Sequence, residues 1–347
     1  MRTILTTVGT SLLSNARRDL KTENPDRHQL ANYLRLSDPT KTAAETNSLC
    51  RLLKEGDDVV FLYSHTEEGE LCAKVLEGYF RNKGYDGRSV EVPDLTYSES
   101  RFKMRGLRSL VATLIEEVRR EQSKQRQVLI NATGGFKAEI AYATLVGLLF
   151  DIPVYYIHEA FGDIIEMPPT PISWDYTLIA DYDEFFEWID TEPRPSKEVD
   201  LRLKALPREI SMLLVEEEGY TFLSPAGEAF YEAYREKETR AEKVPILLSA
   251  KAKGVYMKSE PNIRHLFRRA IRKIRVKELR QSGSDQVGNS DCLVFPKGHR
   301  DERVFYFEDG DRIMICEFTR KADNSYEKAI SAGVFRDKYG NFEKWIE

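Results

Sequence analysis

Val128-Leu129-Ile130-Asn131-Ala132-Thr133-Gly134-Gly135-Phe136-Lys137 is the stretch that decides the fold. A short apolar run ends in a polar, glycine-bearing turn. Ala138 to Phe150 then carries apolar residues at three- and four-residue steps, the period of a helix. Gly134 and Gly135 let backbone N–H groups approach a ligand closely, and a helix N-terminus favours an anion. Asn131 and Thr133 add hydrogen bonds and Lys137 adds a charge. The cluster therefore reads as a phosphate- or nucleotide-binding turn. It contains neither GxGxxG nor GxxxxGK[ST], so it is neither a dinucleotide fingerprint nor a P-loop.

The same grammar extends outward. Thr3 to Val8, Asp58 to Tyr63 and Val154 to Ile157 are further β-rich apolar runs. Ala43 to Lys54, Glu68 to Arg81 and Met104 to Arg119 have helical periodicity. Strands apolar on both faces, alternating with helices, predict a doubly wound α/β domain with a buried parallel sheet. Ligands in such folds sit beyond the carboxyl ends of the strands. A second polar turn, Val8-Gly9-Thr10-Ser11, lies at one such end; taken alone, Gly9 and Ser11 read as an ordinary strand-to-helix turn.

The chain has 347 residues, 41% apolar and 31% charged, which excludes a fully disordered chain. The apolar runs are far too short for a membrane span, and the N-terminus reads as a strand rather than a signal peptide. Four cysteines (Cys50, Cys72, Cys292, Cys316) form no CxxC pair. No metal and no cofactor are expected, and a reducing cytoplasm fits. The net charge of −5 divides unevenly: residues 246–347 hold 21 Lys+Arg against 15 Asp+Glu. A polyanion partner is expected for that third alone.

Asp181 to Glu192 interleaves acidic residues with Phe185, Phe186 and Trp188, as a docking helix or as a solvated linker. Pro193 and Pro195 then mark a boundary. Residues 197–240 read as a small unit of helix, helix and hairpin. Gly219 ends the first helix, Tyr220 to Leu223 is a strand, and Ser224-Pro225 caps the next helix. Pro261 to Arg280 reads as one amphipathic helix. Arg264, Arg268, Arg272 and Arg275 are its candidate RNA contacts, within a stretch from Lys251 to Arg280 of 11 basic and 2 acidic residues. Strands at Cys292 to Phe295, Arg303 to Glu308 and Arg312 to Phe318 follow, the last two joined by a turn at Asp309-Gly310.

Asn131-x-Thr133-x-x-x-Lys137, with the start TTVGTSLL and the stretch NATGGFKAEIAYATLVGLLFDIPVYYIHEAF, resembles the CARF domains, CRISPR-associated Rossmann folds. The resemblance implies a cyclic-oligoadenylate sensor over residues 1–178, working as a homodimer with one symmetric pocket. Cyclic tetra-adenylate is the first choice of activator and cyclic hexa-adenylate the second. It carries ligand contacts onto Gly9, Thr10, Ser11, Asn131, Thr133, Gly134, Gly135 and Lys137. Cleavage of the ring by the same pocket, with Thr10, Ser11 and Lys137 as donors, is a further possibility in that family.

YTFLSPAGEAFYEAY resembles a winged-helix segment, implying a small domain within 179–245. Its glutamates suit a spacer or dimer-forming role better than a grip on DNA. Residues 246–347, with the hairpin RVFYFEDGDRIMICEF and the stretch TRKADNSYEKAI, resemble the α+β fold of RelE-type mRNA interferases. That resemblance implies a metal-independent endoribonuclease cutting mRNA on the ribosome in type III CRISPR defence. Arg303 and Arg320 would flank the phosphate, Lys297, His299 and Lys321 are nearby candidates, and Tyr326 would stack or orient. The general base stays open. No histidine follows an arginine at the spacing of a HEPN ribonuclease, and no Glu-x-Lys strand marks a PD-(D/E)xK nuclease. The alternative is a ligand-gated DNA-binding regulator without catalysis.

Overall fold

The structure is a computed structural model that describes residues 1–96, 102–157, 163–298 and 300–346, with the backbone alone at 102 and 103. The chain begins β1 (Arg2–Val8), α1 (Ser11–Leu20), α2 (Arg27–Leu36), α3 (Pro39–Thr42), α4 (Ala44–Leu52), β2 (Asp58–Ser64), α5 (Glu67–Asn82) and β3 (Asp86–Val92). It continues through α6 (Leu107–Ser123), β4 (Gln127–Asn131), α7 (Lys137–Leu149), β5 (Val154–Tyr156) and β6 (Ile165–Met167). Next come α8 (Thr177–Asp181), α9 (Asp183–Thr191), β7 (Arg194–Pro195), α10 (Ser196–Leu203), β8 (Leu214–Glu217), β9 (Tyr220–Leu223) and α11 (Pro225–Ala241). The last part holds β10 (Ile246–Leu248), α12 (Ala250–Lys258), α13 (Pro261–Arg275), α14 (Lys277–Gly283), β11 (Asp285–Gln286) and β12 (Leu293–Phe295). It ends with β13 (Glu302–Asp309), β14 (Arg312–Arg320), α15 (Ser325–Ala332) and β15 (Glu343–Lys344). Among the described residues no helix is long and apolar enough to cross a membrane.

Packing gathers the chain into two compact units, residues 1–171 with 187–232, and residues 172–186 with 233–347. These units cut the chain elsewhere than at 178 and 245. Ion pairs tie residues 187–232 into the first unit. In the first unit Arg108 of α6 pairs with Asp190 at 2.9 Å and Glu228 at 2.7 Å, and Arg119 pairs with Glu232 at 2.6 Å. Those acidic residues thus belong with α6, and part of the glutamate charge of residues 197–240 is neutralised at home.

The first unit is built on a sheet of order β3-β2-β1-β4-β5-β6, parallel except for β6. β1 lies between β2 and β4, in register Thr3↔Asp58 and Thr3↔Val128. β1 and β2 are buried beyond their first residues, as parallel strands covered on both faces must be. Residues such as Ile4, Phe61 and Phe80 form the core on one side, each worth about 1.5–3 kcal/mol when removed from water. β3 was not foreseen. Its sequence, DGRSVEV, has no apolar run because it is an edge strand, buried only at its end.

Also in this unit, β7, β9 and β8 make a small antiparallel sheet. Here one expectation is corrected. The helix thought to run to Gly219 stops as a 3-10 turn, Arg208–Leu213, and Leu214 opens a strand. Glu218 and Gly219, both at positive φ, form the two-residue loop between Glu217 and Tyr220, the geometry of a tight hairpin turn. Ser224 caps α11, its hydroxyl accepting from Gly227 N–H at 3.0 Å.

The second unit has a sheet of order β11-β12-β13-β14-β10-β15. α12 and α13 cover one face through Phe267, Ile271 and Ile274; α15 and the C-terminal segment cover the other. β13 and β14 form the expected hairpin, but Asp309 pairs with Arg312, so the loop is Gly310-Asp311. Gly310 takes the positive φ there, as glycine at the first loop position does in a type II′ turn. The expected single helix 261–280 breaks at Val276, whose backbone is extended. Much of its charge is already paired. Arg269 meets Asp183 and Glu184, Lys273 meets Asp181 at 3.1 Å, and Arg280 meets Glu308 at 2.8 Å. The acidic and basic stretches, read separately in the sequence, are partners across this unit.

Candidate functional site

In the first unit β1 has β2 on one side and β4 on the other, so the strand order reverses between β1 and β4. That is the switch point at which α/β sheets bind ligands. A cavity of about 480 Å³ opens there, lined by Ser11 after β1, Thr133 after β4 and Tyr156 at the end of β5. Arg18, Lys41 and Asn47 complete its polar wall. Two cations, with the amides of Asn15 and Asn47, around a strand-end cavity suit an anionic, hydrogen-bonding ligand.

The expected contacts come together at this point, but most are already engaged. Gly9 N–H donates to the Glu45 carboxylate at 2.7 Å and the Ser11 hydroxyl to its second oxygen at 3.3 Å. Ser11 also accepts from Ala44 N–H at 3.0 Å. Asn131 is fully buried. Its amide donates to Ser48 at 2.8 Å, and its carbonyl accepts from Thr133 at 2.7 Å. Thr133 in turn accepts from Ile157 N–H. Thr10 is the N-cap of α1, and its carbonyl accepts from Ser14 N–H at 2.9 Å. Gly134 is required by close packing, since a Cβ there would lie 2.2 Å from the Glu45 carboxylate and 2.5 Å from the Thr7 carbonyl. Gly135 has φ +94 and faces Glu139 in the same way. Lys137, at the first turn of α7, is exposed. Of the expected contacts Ser11 and Thr133 line the cavity, while Gly9, Asn131, Gly134 and Gly135 are engaged in the packing and hydrogen bonds of the turns.

Arg18, Lys41, Asn47 and Glu45 were missed by sequence reading. The signal for Lys41 was present: Asp38-Pro39 caps the short helix α3, Asp38 accepting from Thr40 N–H at 2.9 Å, and Lys41 follows at once. Glu45 had no local signal. Its complete burial raises its pKa, against the pull of the Gly9 N–H and Ser11 bonds. Glu139 is pushed up to about 7, first by burial, with the Glu45 charge adding and the Phe136 N–H opposing. One Glu139 oxygen has no hydrogen-bond partner.

In the second unit the interferase candidates gather around Tyr326 and the Gly298 carbonyl. Lys321 donates to that carbonyl at 2.8 Å, and its ammonium lies 6.0 Å from the Tyr326 ring centre. Arg303 stands over the same ring at 5.3 Å. It does not face solvent as a phosphate clamp would: it is 2% exposed and donates to the carbonyls of Gly298, Arg300 and Glu302. Arg303 thus ties together the backbone at Gly298, Arg300 and Glu302. Arg320 is partly exposed and is aimed by Asp301, at 2.6 Å. Lys297, next to Gly298, is exposed, and His299 lies outside the described residues. On α13, Arg264 donates to the Met257 and Ser259 carbonyls, and Arg275 lies 5.1 Å from the Trp345 ring centre. Arg272 is exposed and Arg268 half-buried.

The chain thus joins an α/β unit with a polar strand-end cavity to a second α+β unit. Residues 40–170 of the chain match the family model described as CRISPR-associated protein (Cas_APE2256), from α3 past β6. Two solved structures were compared. Protein VC1899 from Vibrio cholerae is 10% identical, with 70% of this chain and 69% of that chain covered and a TM-score of 0.29. Can2 from Sulfobacillus thermosulfidooxidans, solved in complex with cyclic tetra-adenylate, is 12% identical, with 91% and 78% covered and a TM-score of 0.25. Scores this low do not establish a shared overall arrangement.

Proposed function

We propose that the chain is a cyclic-oligoadenylate-activated, metal-independent endoribonuclease that cuts mRNA on the ribosome in type III CRISPR defence. The first unit is the CARF-type sensor, the β7-β9-β8 sheet with α10 and α11 is a winged-helix-like spacer, and the second unit is the RelE-like effector. The observation that carries the sensor half is the polar cavity at the switch point with Arg18 and Lys41 on its rim. The match to a CRISPR-associated family over residues 40–170 supports the same setting. Two copies related by a two-fold axis would present the same cations to a ring with an even number of phosphates, and cyclic tetra-adenylate is the first choice. Arg18, Lys41 and Lys137 would meet phosphates, while Ser11, Thr133 and Asn47 would fix the nucleosides. The ring activates by binding the competent arrangement more tightly than the resting one.

In the effector, strand cleavage needs cations where charge develops on the phosphate. Arg320, with Lys321 and Lys297, supplies them in this reading. Tyr326 supplies a stacking face, and Arg303 organises the backbone at Gly298, Arg300 and Glu302. The test is in vitro translation with the purified chain, with and without cyclic tetra-adenylate, followed by mapping of mRNA ends in EDTA-quenched samples. Ring-dependent cuts at ribosome-occupied codons, weakened by Lys41→Ala at limiting ring and reduced about 100-fold or more by Arg320→Ala, are expected. Absence of cuts with either the tetra- or the hexa-adenylate ring would remove the ribonuclease from the reading.

A further inference from the structure

The hairpin of the second unit carries a β-bulge whose effect on one side chain is specific. Phe305 pairs with Glu317 and Tyr306 with Ile315, leaving Cys316 as the extra residue of β14. Before the bulge, Ile313 and Ile315 point into the core beneath α12 and α13. Two-residue alternation would send Glu317 into that same apolar layer. The bulge turns it over. Glu317 instead shares the face of its partner Phe305, which packs with α15 and the C-terminal segment.

On that face Glu317 enters a cavity of about 530 Å³. Its carboxylate is buried, yet both oxygens are matched: the Tyr339 hydroxyl donates to one at 2.6 Å and the Lys251 ammonium lies 2.7 Å from the other. Burial and then the Glu317 charge push the Tyr339 phenol up, so it stays a hydrogen-bond donor. Lys328 and Lys338 also line the cavity and are exposed. Neither ammonium pairs with a carboxylate among the described residues. The cavity thus holds three lysines against one carboxylate that is already satisfied. Ser325 lines it too and accepts the backbone N–H of Arg320 at 2.8 Å, so it adjoins the candidate cleavage groups.

We propose that this cavity is an RNA-phosphate subsite of the effector unit. Lys328 and Lys338 contact the backbone of single-stranded RNA next to the cleaved bond, and Glu317 and Tyr339 position Lys251 beside them. The proposal rests on the ribonuclease reading and adds a site to it. A bulge that aims a charged side chain into a polar cavity is a feature that packing alone does not call for, and a cavity of this volume accommodates a nucleotide-sized group.

The test uses the full chain with cyclic tetra-adenylate and a fluorescent 2′-O-methyl octauridylate, which has no attacking 2′-hydroxyl. Binding is followed by anisotropy from low to moderate salt, and cleavage of unmodified RNA is followed in parallel. Lys328→Ala/Lys338→Ala changes two exposed side chains and leaves the fold intact. It is expected to weaken binding tenfold or more and to lower the slope of log affinity against log salt by about 0.7 per lysine. The charge-matched control Lys243→Ala/Lys344→Ala, at two exposed lysines that do not line the cavity, is expected to bind like the unaltered chain. Unchanged affinity and slope in the first variant would overturn the site while the ribonuclease reading stood on its cleavage. An equal loss in the control would also overturn it, as general charge. If the unaltered chain neither bound nor cut RNA, both readings would fall together.

Discussion

The glycine-bearing turn of the first unit and the bulged hairpin of the second treat buried carboxylates in opposite ways. In the first, Glu45 and Glu139 lie side by side beneath the Gly134-Gly135 turn with no cation paired to either among the described residues, and burial raises both pKa values. In the second, Glu317 is matched by Lys251 and Tyr339. The more exposed acids of α8 and α9 also pair, with Arg269 and Lys273. Burial with no paired cation disfavours the charged form and raises the pKa, whereas a paired carboxylate holds a cation in place. The first arrangement makes stability depend on pH, and the second makes geometry depend on the pair.

The sharpest way to break this contrast is the pH dependence of stability. Glu139 has its folded pKa raised to about 7 from an ordinary 4.5. Its contribution is therefore fully present below about pH 4.5 and is lost as pH rises through 7. Glu139→Gln should remove this dependence and should be more stable than the unaltered chain at pH 8, by up to roughly 3 kcal/mol. Urea unfolding at pH 5 and pH 8 checks it; parallel pH profiles for the two proteins would mean that Glu139 does not titrate in this way.

Gly134→Ala should cost about 2–3 kcal/mol, because its Cβ would press on a backbone carbonyl as well as on Glu45. Thermal unfolding of the first unit reads this, and a change below 0.5 kcal/mol would show that the turn relaxes freely.

On the other side of the contrast, Glu317→Gln should cost about 1.5–2 kcal/mol through its charge-assisted bonds to Lys251 and Tyr339. A double-mutant cycle with Tyr339→Phe should give a coupling near 1 kcal/mol; additivity would separate the two groups. The smallest effect is expected for Lys251→Ala, under 1 kcal/mol, because the lysine end of that pair is more than half exposed.

Legibility in the sequence followed the range of the interaction. Val59 to Tyr63, Thr3 to Val8 and the turn after Ile130 were readable because period and turn chemistry are local. Ser224 and Pro225 were readable as a helix start for the same reason. The edge strand β3 was not, since half-exposed strands lack the apolar run that marks buried ones. The hairpin 302–320 was visible, but its loop lay one residue further on, at Gly310-Asp311, because register is set by strand pairing.

By itself the sequence determined the alternation of strands and helices, the existence of the hairpin and the position of the glycine-bearing turns. Tertiary structure alone decided who uses each polar group. Gly9 N–H and Ser11 are taken by Glu45, Asn131 is held by Ser48, and Arg303 is turned onto backbone carbonyls. The acids near residue 183 find Arg269, 86 residues away. Nothing in a local pattern encodes these pairings. A buried donor or acceptor must find a partner when water is excluded, and folding brings that partner from any distance along the chain.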